Sequence, residues 1–145
     1  VRKHRLWECF LYDKLNFGWD EVHEVAEQLE HITSKKLVDK LDEFLGYPRF
    51  DPHGDPIPDN QGKIASRHQV KLSEFEVNEP AEITSVASQA SELLEFLGKK
   101  SICIGTKLEI KRRFAFDKSV EIKIRNHAAI TISEQIASII NVKPV

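Results

Sequence analysis

Apolar residues crowd positions 3–17 (Leu6, Trp7, Cys9, Phe10, Leu11, Tyr12, Leu15), and at about 100° per residue they cover nearly the whole circumference of a helix. A helix apolar all round is buried on several sides. A helical unit this small does not cover Trp7, Phe10, Leu11 and Trp19 together, so these four are expected in a two-fold subunit interface. Asn16, Gly18 and Asp20 break the pattern, with Asp20 expected to cap a second helix over 21–32. On that helix Val22, Val25, Ala26, Leu29 and Ile32 form one stripe. Thr33 or Ser34 is expected to cap a third helix over 35–45, with Leu37, Val38, Leu41, Phe44 and Leu45 inward and Gly46 after its end.

Four of the six prolines fall within 47–69, a spacing in which no regular element survives. From Val70 the period changes to two. Residues 81–86, 107–112, 120–124 and 128–132 read as short strands, and a single amphipathic helix over 88–97 interrupts them. The pattern therefore predicts an α+β chain, three helices followed by a small, partly open β-barrel.

Composition narrows the function. The 145 residues carry 21 Lys+Arg against 23 Asp+Glu, a formal charge of −2, which gives no surplus for gripping a phosphate backbone. No apolar run reaches the roughly 20 residues of a membrane helix, and Val-Arg-Lys-His at the start is no signal-peptide core, so a cytoplasmic protein without membrane partners is expected. Cys9 and Cys103 are too few and too far apart for a zinc knuckle and read as small buried hydrophobes. The absence of any methionine reads as a piece of something longer.

The candidate chemistry is metal binding. His4 and Glu8 stand at i, i+4 on the first helix, while His23, Glu27, Glu30 and His31 share a sector of about 100° beside the apolar stripe of the second. Imidazole and carboxylate at helical spacing converge on one divalent ion without backbone strain. A solvated acidic face remains the alternative at this point. No nucleophile with its base accompanies the carboxylates, and no Gly-rich phosphate loop is present, so no catalytic residue is assigned.

Three segments, Arg2-Lys3-His4-Arg5-Leu6-x-Glu8, then Val22-His23-Glu24-x-Ala26-x-x-x-Glu30-His31, then Asp51-Pro52-His53-Gly54-Asp55-Pro56-Ile57-Pro58, resemble in order and spacing the metal-binding and dimerisation domain of the diphtheria-toxin-repressor family of iron- and manganese-dependent repressors. Leu72-Ser73-Glu74, Leu93-Leu94, Gly105-Thr106 and Ile130-Thr131-Ile132-Ser133 resemble the SH3-like domain that this family shares with ferrous-transport accessory proteins. The resemblance implies a helical metal-binding and dimerisation domain over 1–66 and an SH3-like domain over 67–145. It also implies that the family's N-terminal winged helix-turn-helix is absent from the chain, so that operator DNA is met only through that missing domain.

By position, the resemblance places His4, Glu8 and His23 in the family's ancillary metal site and Glu27, Glu30 and His31 in its primary site. Iron-dependent members carry cysteine where Glu27 stands and manganese-dependent members carry glutamate. The implied cofactor is Mn²⁺ or Fe²⁺, with Zn²⁺ or Co²⁺ able to substitute in vitro. Gln89 and Glu92 match, in reversed order, two further ancillary ligands from the SH3-like domain. Where some members hold an anion with arginine, serine and asparagine, this chain has Arg5, Asp51 and Asp55, two carboxylates that repel an anion. Either both pair with Arg5, or Asp51, Asp55 or His53 approaches the metal; the plainest reading of His53 is a turn residue in a proline-rich loop. The expected function is the metal-sensing, dimerising portion of a manganese- or iron-dependent repressor, a non-enzyme without small-molecule substrate. A metal-dependent hydrolase or oxygenase, or a metal-free interaction module of the ferrous-transport accessory type, are the alternatives.

Overall fold

The computed structural model describes residues 1–31 and 34–145, which divide into two compact units. The first comprises Val1–Arg67 together with Gln89–Glu95, and the second His68–Ser88 with Phe96–Val145. Among the described residues no helix is long and apolar enough to cross a membrane.

In the first unit α1 (Arg2–Leu15) ends at Asn16, whose left-handed backbone (φ 60°) turns its amide back to the Leu11 carbonyl. α2 (Val22–Glu30) and α3 (Lys35–Phe44) follow. Ser34 caps α3 by accepting from the Leu37 amide at 3.2 Å, while the other proposed cap, Thr33, and the stripe residue Ile32 lie outside the described residues. Asp20 does not cap α2. That position falls to Glu21, whose carboxylate accepts from the Gly18 amide at 3.0 Å instead of bonding into the helix.

Two buried clusters hold α1. Leu6 and Cys9 pack with Val38, Leu41 and Ile57, and Leu11 packs with Val22 and Ala26. Arg2 fastens the start of α1 to α3 through Asp39 (3.0 Å) and Asp42 (2.9 Å). This packing corrects one expectation: Leu11 (3% exposed) and Trp19 (8%) are covered within the single chain, because α2 shields Leu11 and the Trp19 indole donates to the Leu94 carbonyl at 3.1 Å. Trp7 and Phe10 stay half-buried, edge to face at 5.7 Å, beside the exposed Phe44.

The proline-rich stretch makes a tight loop rather than a regular element. Phe50 bridges Pro56, the Ile57 amide donates to the Arg49 carbonyl, and the Asp51 and Asp55 backbones bond at 2.8 Å. At the tip, Asp51 Oδ1 accepts from the amides of His53 and Asp55, both at 2.9 Å, and Gly54 takes a positive φ of 85° that a side chain would strain.

The second unit is a six-stranded antiparallel sheet of β1 (Val70–Lys71), β2 (Ala81–Val86), β3 (Lys107–Arg113), β4 (Val120–Ile124), β5 (Ile130–Ile132) and β6 (Ile140–Pro144), in the order β1-β6-β2-β3-β4-β5. α4 spans Ser91–Lys99, three residues later than its pattern begins. The α+β class holds, with additions that the pattern did not predict: β1, a 3₁₀ turn at Leu72–Glu74, α5 (Glu134–Ile139) and β6. Cys103 is exposed, not buried, its thiol 3.2 Å from the Thr106 hydroxyl.

Candidate metal centre

α1 and α2 lie side by side, so the i, i+4 pair of α1 meets the polar face of α2. His4 Nε2 stands 3.0 Å from both Glu8 Oε2 and His23 Nδ1, and the last two are 3.4 Å apart. Two imidazole nitrogens and a carboxylate oxygen at these separations compete for too few protons. Edges of about 3 Å are, however, what ligands bonded at about 2.1 Å around one octahedral ion keep. His4 Nδ1 lies 3.2 Å from Glu30 Oε1; donation there fixes the tautomer that leaves Nε2 as the lone pair.

A second set is deeper. Glu8, Asp51 and His53 are all buried, and each presents a buried side-chain atom without a hydrogen-bond partner among the described residues: Glu8 Oε1, Asp51 Oδ2 and His53 Nδ1. His53 Nδ1 is 3.7 Å from Glu8 Oε1, too far for a hydrogen bond and close to the spacing of two ligands on one ion. Its other nitrogen, Nε2, donates to the Trp19 carbonyl at 2.7 Å, which again leaves the inward nitrogen as the lone pair. His53 does sit in the turn that Asp51 makes, and that turn drives its ring into the interior, fully buried. The signal available in the sequence was the Asp51-x-His53 spacing, which an Asx turn converts into two ligands on one side of a loop.

Buried polar atoms without partners cost free energy unless something satisfies them. In the metal-free chain protons do part of this. Attraction to Glu8 raises the His4 imidazole above its ordinary value against the opposing effect of burial. Burial would lower His53, but Glu8 and the Trp19 carbonyl raise it. Burial, with Glu8 alongside, pushes Asp51 up to about 7. Burial would likewise raise Glu8, yet His4 and His53 hold it well below the usual carboxylate range.

The other sequence candidates lie around these two sets. Glu27 is exposed, 4.0 Å from His23 Nε2, and Glu30 meets His4, while His31 is exposed at the end of α2; none joins either tight group. Gln89 bonds Asp55 Oδ2 at 3.1 Å, and Glu92 is exposed on the first turn of α4. Arg5 donates to the Pro56 carbonyl and stands 4.0 Å from Asp51 Oδ2, so it pairs weakly with Asp51 and not with Asp55.

Residues 1–59 match the family model described as iron dependent repressor, metal binding and dimerisation domain, and residues 70–144 match the FeoA domain. A manganese-dependent transcriptional repressor solved in complex with manganese superposes with a TM-score of 0.92 at 31% identity, covering 100% of this chain and 69% of that one. The chain belongs to the iron- and manganese-dependent repressor family. Among curated relatives, the iron-dependent repressor IdeR of Mycobacterium leprae is 26% identical over 157 residues, 100% of this chain and 67% of the relative. A probable metal transport system membrane protein of Chlamydia trachomatis is 45% identical over 58 residues, 40% of this chain. The chain spans only 13% of that relative's length.

Proposed function

We propose that this chain is the metal-sensing and dimerising part of a repressor that responds to Mn²⁺ or Fe²⁺. The observation that carries the reading is the trio of buried atoms without a hydrogen-bond partner on Glu8, Asp51 and His53, adjoining the His4–Glu8–His23 triangle. Glu8 serves both sets, Oε2 toward the helical histidines and Oε1 toward His53. These residues would hold the ion, which supplies the positive charge that buried oxygen and imidazole lone pairs call for. Nitrogen and oxygen donors without thiolate suit Mn²⁺ and Fe²⁺; Zn²⁺ and Co²⁺ fit the same donors.

His4 and Glu8 come from α1, His23 from α2, and Asp51 and His53 from the loop, so an ion here ties three segments together. Binding energy then stabilises the arrangement in which they converge. Glu27, Glu30 and His31 are assigned to a second, more exposed site on the same face of α2, with His4 reaching Glu30. Two copies associate through the apolar surface around Trp7, Phe10 and Phe44, and in the intact cytoplasmic repressor the ordered dimer grips operator DNA.

Isothermal titration of the chain with Mn²⁺ under anaerobic conditions tests the reading. Saturable binding is expected, lost or strongly weakened by His53→Ala and by His4→Ala. Undiminished binding in both variants would overturn it.

A further inference from the structure

The loop that carries Asp51 and His53 is anchored in the core through Ile57, beyond the ligand pair, yet both ligand side chains must also be held pointing inward. One residue outside the loop brackets them. The Arg67 guanidinium lies over the Phe50 ring, 3.5 Å from its centroid, immediately before Asp51. Its Nη2 donates to the Gly54 carbonyl at 3.2 Å, immediately after His53. Arg67 therefore grips the loop on both sides of the ligand pair, and neither contact uses an atom that faces the ion.

We infer that Arg67 is a positioning residue for the Glu8–Asp51–His53 centre, a clamp that holds the ligand loop closed over the site; this rests on the proposed function above. The geometry suits arginine in particular. A planar guanidinium stacks on an aromatic ring and donates in its own plane at the same time, whereas an ammonium does not combine the two. Gly54, with φ 85°, leaves its carbonyl where the guanidinium reaches it. Arg67 is also the last residue of the first unit's leading segment, before the chain passes at His68 into the second unit. A bare cation near a metal site weakens binding by repulsion, so the clamp and the charge make opposite predictions.

The test uses the full 145-residue chain with Arg67→Ala, Arg67→Lys and, as the control for the site itself, His53→Ala. Co²⁺ and Mn²⁺ affinities are measured by titration, the Co²⁺ ligand-field spectrum is recorded at saturation, and the melting temperature is measured without metal. Loss of a residue that orients ligands weakens metal binding by roughly tenfold or more. The expected result is that loss for Arg67→Ala, with an altered Co²⁺ spectrum, a partial loss for Arg67→Lys and a metal-free melting temperature close to the parent's. Unchanged or tighter binding in Arg67→Ala, while His53→Ala weakens it, overturns the clamp and leaves the site standing. A metal-free melting temperature that falls while the saturated Co²⁺ spectrum stays as in the parent likewise overturns it, since that is plain structural support. If His53→Ala leaves binding unchanged, the centre itself fails, and the clamp with it.

Discussion

Glu8 is the residue on which the chemistry converges, because its carboxylate is fully buried and its two oxygens face different partners. Replacing it with Gln keeps the shape but puts an amide where two imidazoles offer lone pairs or protons. Glu8→Gln is therefore expected to abolish metal binding at both sets, whereas His23→Ala affects the helical set and His53→Ala the loop set. Metal stoichiometry by equilibrium dialysis separates the three variants; equal losses in all of them would show that the two sets act as one site. At Gly54, φ 85° is a backbone that a Cβ disfavours by about 1–2 kcal/mol. Gly54→Ala should lower metal-free stability by about that much in chemical denaturation and weaken metal binding as the Asp51 turn distorts.

At the level of elements, α1 is less naked than its apolar circumference suggests. α2 and α3 cover Leu6, Cys9 and Leu11, and the apolar surface left over includes exposed Tyr12 and Leu15, half-buried Trp7 and Phe10, and Phe44, an α3 residue that the helical wheel turned inward. Within it Trp7, Phe10 and Phe44 form the proposed dimer face, and Phe44, largely exposed, can be changed without emptying the core. Phe44→Lys is expected to shift sedimentation at micromolar concentration from dimer toward monomer, with or without metal, while helical content by circular dichroism stays the same. A dimer of unchanged stability would move the interface elsewhere. Residue spacing made the three helices and the strands from Ala81 to Ile124 legible, because α2, α3 and β4 bury one face with their own period, while α1 stands out by its crowded apolar residues and β2 is buried along nearly its whole length. α5 and β6 were not legible: Ile136 to Val142 passes from helix to strand with no Gly or Pro, so period 3.6 runs into period 2 unmarked. The site divided in the same way. His4, Glu8 and His23 follow from helical spacing and resemblance, whereas Asp51 and His53 stood in the sequence as one alternative among several, and the turn and burial that aim both inward are visible only in the fold.

For the whole molecule, the protonation of the site makes metal-free and metal-loaded chains respond oppositely to pH. In the metal-free chain His4, His53 and Asp51 all have folded pKa values raised above their ordinary ones, Asp51 to about 7. A group raised in this way contributes stability below its ordinary pKa, and that contribution is lost as pH rises through the folded value. Glu8, held low, contributes above its ordinary value near 4.5 and loses that contribution as pH falls through its folded value. The metal-free chain should therefore lose stability as pH rises from about 4 to about 7, the span between the ordinary and folded values of Asp51, and lose more above 6.5 as His4 and His53 give up their protons with no ion to replace them. Metal requires the opposite state, with neutral imidazole and ionised carboxylate, so apparent Mn²⁺ affinity should rise steeply over the same interval and binding should release protons. Melting temperatures at fixed saturating Mn²⁺ and in chelator, taken at half-unit steps across that interval, are expected to diverge, the loaded curve climbing while the chelated one falls. In buffers of different ionisation enthalpy, calorimetry should register more than one proton released per ion near pH 6.5. Parallel pH profiles with and without Mn²⁺ would mean that the ion does not displace the protons on His4, His53 and Asp51, and so does not sit among them.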